Sequence, residues 1–187
     1  MPMTNWLSPS ANSTTAGWTG AANVYAQDGA NASVTVSGGA ETPYFRVYGF
    51  NDGGTSLATL VGSATSIDGI EVQFYGRTSA AVDYAYVFVG NAPAGAPQNK
   101  NGFEKSIGLP VSASTSAYGT ALGGATDLWG GVQTPARAWL PSDFDSNFGV
   151  SGAWAGTLTV TWDYVRMRIY YTASGGGGTA GKWWWGS

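Results

Sequence analysis

The chain has no cysteine and no histidine. The first absence excludes disulfides and thiolate metal sites. The second removes the commonest general base and the commonest metal ligand. Charge is scarce as well: Asp, Glu, Lys and Arg make up 10% of the residues, against roughly 25% in ordinary soluble domains. With a net charge of -3 and scattered Lys and Arg, no basic footprint for phosphates is present, so nucleic acid is not an expected partner. No apolar run approaches the roughly 20 residues of a membrane-spanning helix. The opening MPMTNWLSPSANSTT has neither the basic nor the apolar region of a signal peptide. The expectation is a protein made in the cytoplasm, with no membrane partner and no ordinary secretory route.

What the chain does have is 29 glycines, nine tryptophans and ten tyrosines among 187 residues. That length suits one domain with appendages and a substantial core. Period-2 alternation dominates. Residues 31–36, 44–50, 67–77 and 82–89 each read as strands, with Phe45, Val47, Ile70, Val72 and Phe74 facing inward. Arg46 and Tyr48 fall on the opposite face from Phe45 and Val47. The longest pattern, TLTVTWDYVRMRIYYT, buries Leu158, Val160 and Trp162, then Val165, Met167, Ile169 and Tyr171. The parity flips near Asp163-Tyr164, which requires a β-bulge or bend there. Arg166 and Arg168 then face outward together, either as solvated charges or as a subunit-interface pair meeting carboxylates. Gly/Pro clusters at short spacing complete the signature of an all-β antiparallel sandwich, jelly-roll-like, with about eight strands, long loops and an extended C-terminal tail. The domain reading is an arm over 1–17, a sandwich over 18–173, and a tether with anchor over 174–187.

Two segments, 91–127 and 130–156, resist assignment to strands and read as docked loops forming a contact surface. Trp139 and Phe144 are their candidate contact residues. Ile67-Asp-Gly-Ile70 reads as a tight turn with its positive φ at Asp68-Gly69. Asp127-Leu-Trp-Gly130 reads as an Asp-closed turn that lays Trp129 over the sandwich end as a plug. Asp143, Asp145 and Asn147 share the spacing of a calcium loop, but Phe148 and Trp154 stand where that loop needs Gly and Glu. They read as turn formers. A serine nucleophile would have only Lys100, Lys105 or Lys182 as base, none in an S-x-x-K setting. No local pattern singles out a pair among the eleven acids for glycoside cleavage. Hence no catalytic residue, cofactor or metal is expected.

Trp18 followed by NVYAQDGANAS, then IDGIEV, DLWG, TPA, FGV and DYVRMRIYYT, stand in an order that resembles a group of phage and prophage virion proteins and domains of bacterial surface proteins. The resemblance runs from about residue 18 to 172. It implies a β-sandwich used as a structural or adhesive module, with no catalytic residues to carry over. A virion component leaves by lysis and needs no signal. The stretch ARAWLPSDFDSN is longer than the pattern and the C-terminal tail is extra, which leaves capsid and tail locations both open. The expectation is a non-enzymatic protein on the virion exterior, a capsid decoration or cement protein held by the major capsid protein or other virion subunits, and a homo-oligomer within the assembly. The alternative is a tail-associated adhesin or carbohydrate-binding module for a surface glycan.

The tail GGGGTAGKWWWGS belongs to this reading. Residues 175–181 form a tether spanning at most about 25 Å. Lys182, Trp183, Trp184 and Trp185 form an aromatic head. In an extended segment Trp183 and Trp185 point one way and Trp184 the other, so two rings would enter a pocket of a neighbouring subunit. Folding back on its own sandwich is the alternative.

Overall fold

The computed structural model describes residues 1–14, 17–42, 44–91, 103–133 and 136–174. The strands are β1 (Ala11–Thr14), β2 (Ala32–Val36), β3 (Phe45–Tyr48), β4 (Asn51–Asp52), β5 (Thr55–Ser56), β6 (Ala64–Thr78), β7 (Tyr84–Asn91), β8 (Lys105–Ser106), β9 (Ala117–Tyr118), β10 (Leu122–Gly124), β11 (Val132–Gln133), β12 (Ala136–Arg137), β13 (Phe148–Ala155) and β14 (Leu158–Ala173). A short helix, α1 (Leu57–Val61), is capped by the Ser56 side chain. One sheet runs β1-β3-β13-β7-β8, the other β10-β6-β14-β2 with β9 also on β6. The named strand pairs are antiparallel. This is the expected all-β sandwich.

The core lies where the inward parities meet. Phe45, Val47, Ile70, Val72, Phe74, Val87, Val89, Val160, Val165, Met167 and Ile169 are all 0% exposed. At its centre Trp162 packs edge-on or tilted against Phe45, Phe74 and Trp154 with centroids 4.6–4.9 Å apart. Such ring pairs add roughly 0.5–1.5 kcal/mol each beyond area burial.

The parity flip in β14 is a register shift between Trp162 and Tyr164. The extra residue, Asp163, is 3% exposed. Its carboxylate accepts the amides of Gly29 at 3.2 Å and Asp28 at 3.4 Å. Burial pushes its pKa upward, against these two bonds. The bulge therefore turns one carboxylate inward to hold the 26–31 loop.

Two features differ from the sequence reading. Residues 148–155, read as part of a docked loop, form β13, buried along its whole length at the centre of its sheet. Its FGVSGAWA sequence is poor in strand formers, but the small residues are required. A Cβ on Gly149 would lie 2.3 Å from the Val47 carbonyl, and one on Gly152 would lie 3.0 Å from Trp154. Second, no turn interrupts Ile67–Ile70; β6 continues through it, with a register shift against β14 at Asp68. Gly69 is needed for close approach, because a Cβ there would meet the Gly124 carbonyl at 2.1 Å. The N-terminal arm is stitched to both sheets. Thr4 and Leu7 donate to the Ile169 and Met167 carbonyls at 2.9 and 2.7 Å, and β1 then pairs with β3.

Candidate partner-binding face

The outer parity of β14 presents Tyr164, Arg166, Arg168 and Tyr170; that of β6 presents Glu71, Gln73 and Tyr75. Arg166 stands directly across from Gln73, and Arg168 from Glu71. Arg166 donates to Gln73 Oε1 from Nη2 at 2.6 Å and from Nε at 3.1 Å. Arg168 Nε donates to Glu71 Oε2 at 2.7 Å. The same oxygen accepts from the Tyr170 hydroxyl at 2.6 Å.

Three rings interleave with the two guanidinium groups. Arg166 lies 4.2 Å from the Tyr118 centroid and 4.4 Å from that of Trp6. Arg168 lies 4.5 Å from the Trp6 ring centre and 5.4 Å from that of Tyr170. The result is a continuous ladder, Tyr118–Arg166–Trp6–Arg168–Tyr170. Trp6 comes from the N-terminal arm and Tyr118 from β9, so the ladder ties three segments to one face. Gln73 Nε2 donates to the Gly119 carbonyl and the Tyr118 hydroxyl to Gln27 Oε1, which fixes the Tyr118 end. Burial alone would raise the Glu71 pKa, but the Arg168 and Tyr170 hydrogen bonds and both arginine charges hold it below the ordinary carboxylate value.

Of the other residues read as contacts, Trp139 and Phe144 are interior, at 5% and 0% exposed. They pack on Phe148 at 5.4 and 4.4 Å, and Trp139 Nε1 donates to the Leu128 carbonyl at 2.7 Å. Their rings fill the chain's own core, because the loop carrying them folds onto the start of β13. Lys182, Trp183, Trp184 and Trp185 lie outside the described residues. Trp129 is 2% exposed and its Nε1 donates to the Ile70 carbonyl at 3.0 Å, as the plug reading requires. Its amide meets Asp127 Oδ1 at 3.0 Å. Asp143 is held by Arg137 at 2.6 Å, and Asp145 closes a turn on the Asn147 amide at 2.7 Å. Among the described residues no group of three or more acids gathers as for a metal, and no helix is long and apolar enough to cross a membrane.

A second aromatic group lies on the outer parity of β7. Tyr84 stacks on Tyr86 (centroids 5.9 Å, 9° between planes), and Tyr86 on Phe88 at 6.3 Å. The Glu41 carboxylate accepts from both tyrosine hydroxyls. Tyr84 is 48% exposed, whereas Phe88 is sealed. A recess of about 540 Å³ lined by Ser10, Asn51, Ser56, Leu57, Asp145 and Ser146 opens elsewhere. Ser10, Asn51 and Ser56 there already serve local turns and the α1 cap.

Sequence reasoning found Arg166 and Arg168 but missed Trp6, Tyr118, Gln73, Glu71 and Tyr170. The alternation TWDYVRMRIYY against IEVQFY held the cross-strand pairs; nothing local announces the distant rings. No family model, no curated protein and no solved structure matches the chain.

Proposed function

We propose that the protein is a non-enzymatic structural component of a virion exterior, a capsid decoration or cement protein that docks on neighbouring subunits. The observation that carries this reading is the ladder on the outer face of the β6–β14 sheet. Its rings and guanidinium groups are already fixed by cross-strand bonds, so little ordering entropy would be lost on docking. Tyr, Trp and Arg are the residues that dominate protein interfaces. The small, weakly charged side chains of the rest of the chain and the ordered motifs support the same reading. The Trp-rich tail would add an intermolecular anchor, with avidity across many copies.

Two measurements test it. In purified particles the protein should track the major capsid protein in copy number; a few copies per particle would move it to the tail. Truncation after Ser174 should leave the melting temperature unchanged while abolishing incorporation into particles. A truncated chain that loses stability as an isolated monomer would show that the tail docks on its own sandwich.

The exposed Tyr84 stacked on Tyr86 favours a second reading, a glycan-binding adhesin, because sugar rings stack on such faces. Glycan-array binding lost in Tyr84→Ala would move the function there.

A further inference from the structure

The recess of about 540 Å³ has the size of a ligand pocket, about 300–1,000 Å³. Phe50 and Leu57, each 2% exposed, lie beneath it, and Gly54, Ala58, Asp145 and Ser146 line its open part. Ala58, Asp145 and Ser146 are exposed, and a Cβ added at Gly54 would meet nothing within 4 Å. A ring therefore has room there, against small side chains and bare backbone. The charge at the rim is negative. Asp145 Oδ1 accepts the Asn147 amide at 2.7 Å. The carboxylate acts on the sealed Arg46 charge but enters no ion pair among the described residues.

One segment of the chain is rooted beside this recess. Ser174 donates to the Ser63 carbonyl from its amide at 3.1 Å and from its hydroxyl at 3.0 Å. Ala58, in α1, precedes Ser63 by five residues, so the two are at most about 18 Å apart even on an extended path. Residues 175–181 span up to about 25 Å, so recess and tail root lie within one tether length. Beyond the tether come Lys182 and then Trp183, Trp184 and Trp185, a cation joined to rings. The recess offers a carboxylate beside room for a ring. The ladder face instead sets two guanidinium groups against one carboxylate, which disfavours Lys182.

We propose that the recess is the receptor for the Lys182–Trp185 segment of a second copy of this chain, an indole entering it and the Lys182 ammonium meeting Asp145. This rests on the reading of the tail as an intermolecular anchor and names what the anchor grips. Because root and receptor lie close together, two copies meeting there can exchange tails reciprocally. Such an isologous exchange closes on itself as a dimer. The long lysine stem lets the ammonium reach the rim while its methylenes cover apolar surface. An exposed ion pair contributes little, so the rings supply most of the grip.

Two full-length variants, Ser146→Cys and Gly186→Cys, mixed and oxidised, test the site. The native chain has no cysteine, so a disulfide between positions 146 and 186 can only join two chains. It forms only where the Cα atoms come within about 7 Å. We expect that linked dimer, identified by mass spectrometry of the joined peptides, well above the yield from Ser106→Cys, exposed on β8, mixed with Gly186→Cys. Adding Ala58→Arg to the Ser146→Cys chain fills the recess and opposes Lys182, and should bring the yield down to that control. Adding Asp145→Asn should lower it about two- to fivefold, the weight of one exposed ion pair. Yields equal to the control, or unchanged by Ala58→Arg, would overturn the proposal. So would a Ser146→Cys/Gly186→Cys double variant whose disulfide closes only within one chain, because the segment would then occupy its own recess. If linkage fails while truncation after Ser174 still abolishes incorporation, the tail anchors elsewhere and only this proposal falls. If linkage succeeds and incorporation survives truncation, the docking role of the tail falls and the receptor stands.

Discussion

On the outer face of the β6–β14 sheet, Arg166 and Arg168 are half-buried, lie over aromatic rings, and each meets an acceptor on the neighbouring strand. On the outer face of the other sheet, Arg46 is fully sealed and has, among the described residues, one carbonyl for five potential N–H bonds. Register explains the difference. Arg166 and Arg168 stand across from Gln73 and Glu71, long enough to reach a guanidinium head. Arg46 stands across from Ser151 on one side and Ser13 on the other, both too short and neither charged. The same residue type thus reinforces one face and strains the other, according to what the ladder places opposite it.

Both faces rest on one tryptophan-centred core, and the largest expected effect lies there. Trp162→Ala should cost about 3–5 kcal/mol through lost burial and residual cavity, read as a lower denaturant midpoint with unchanged slope. A loss below about 1 kcal/mol would mean that the two sheets are not coupled through Trp162.

Next in size is Gly149→Ala, which tests whether the Arg46 face is built on missing side chains. The new methyl would meet the Val47 carbonyl at 2.3 Å, which is backbone in the neighbouring strand and cannot swing away. The expected cost is about 1–3 kcal/mol. A neutral substitution would show that β3 and β13 stand further apart than described.

How these faces read from sequence differs as much as their chemistry. Strict alternation told inside from outside along β6 and β14, and one break in it located the Asp163 bulge. The method failed where small residues replace alternation: β13 is Gly, Ala and Ser between its large side chains, and its burial on both faces leaves no polar parity to detect. Gly69 read as part of a turn, whereas the passage of Gly124 across β6 requires it for close approach, which no local pattern announces. The ladder was half legible, since Arg166 and Arg168 share a strand whereas Trp6 arrives from about 160 residues away. The parity of Arg46 was readable; its burial was not, because that depends on how its outer face is covered.

Glu71→Gln comes third and probes the satisfied arginine face. Because Glu71 is held below its ordinary pKa in the folded state, it contributes stability above the unfolded carboxylate value of about 4.3. That contribution is lost as pH falls through the lower, folded value. At pH 7 the variant should be destabilised by about 1 kcal/mol. The difference between wild type and variant should close below about pH 3. A difference independent of pH would show that Glu71 acts by packing and not by its charge.

The smallest effect is the most diagnostic. Removing Arg168 by substitution to Met should destabilise, because Glu71 loses its charged partner and Trp6 one of its two guanidinium neighbours. Removing Arg46 in the same way deletes a buried charge whose Nε and Nη1 are unmet among the described residues. What is lost is one hydrogen bond to the Asn147 carbonyl and one contact with the Tyr48 ring, together about 1–2 kcal/mol. What is gained is relief of a desolvated guanidinium, a term of similar or greater size. Arg46→Met should therefore lie within about 1 kcal/mol of wild type or be more stable. Equal destabilisation by Arg46→Met and Arg168→Met would mean that Arg46 is as well served as Arg168, and the contrast between the two faces would fail.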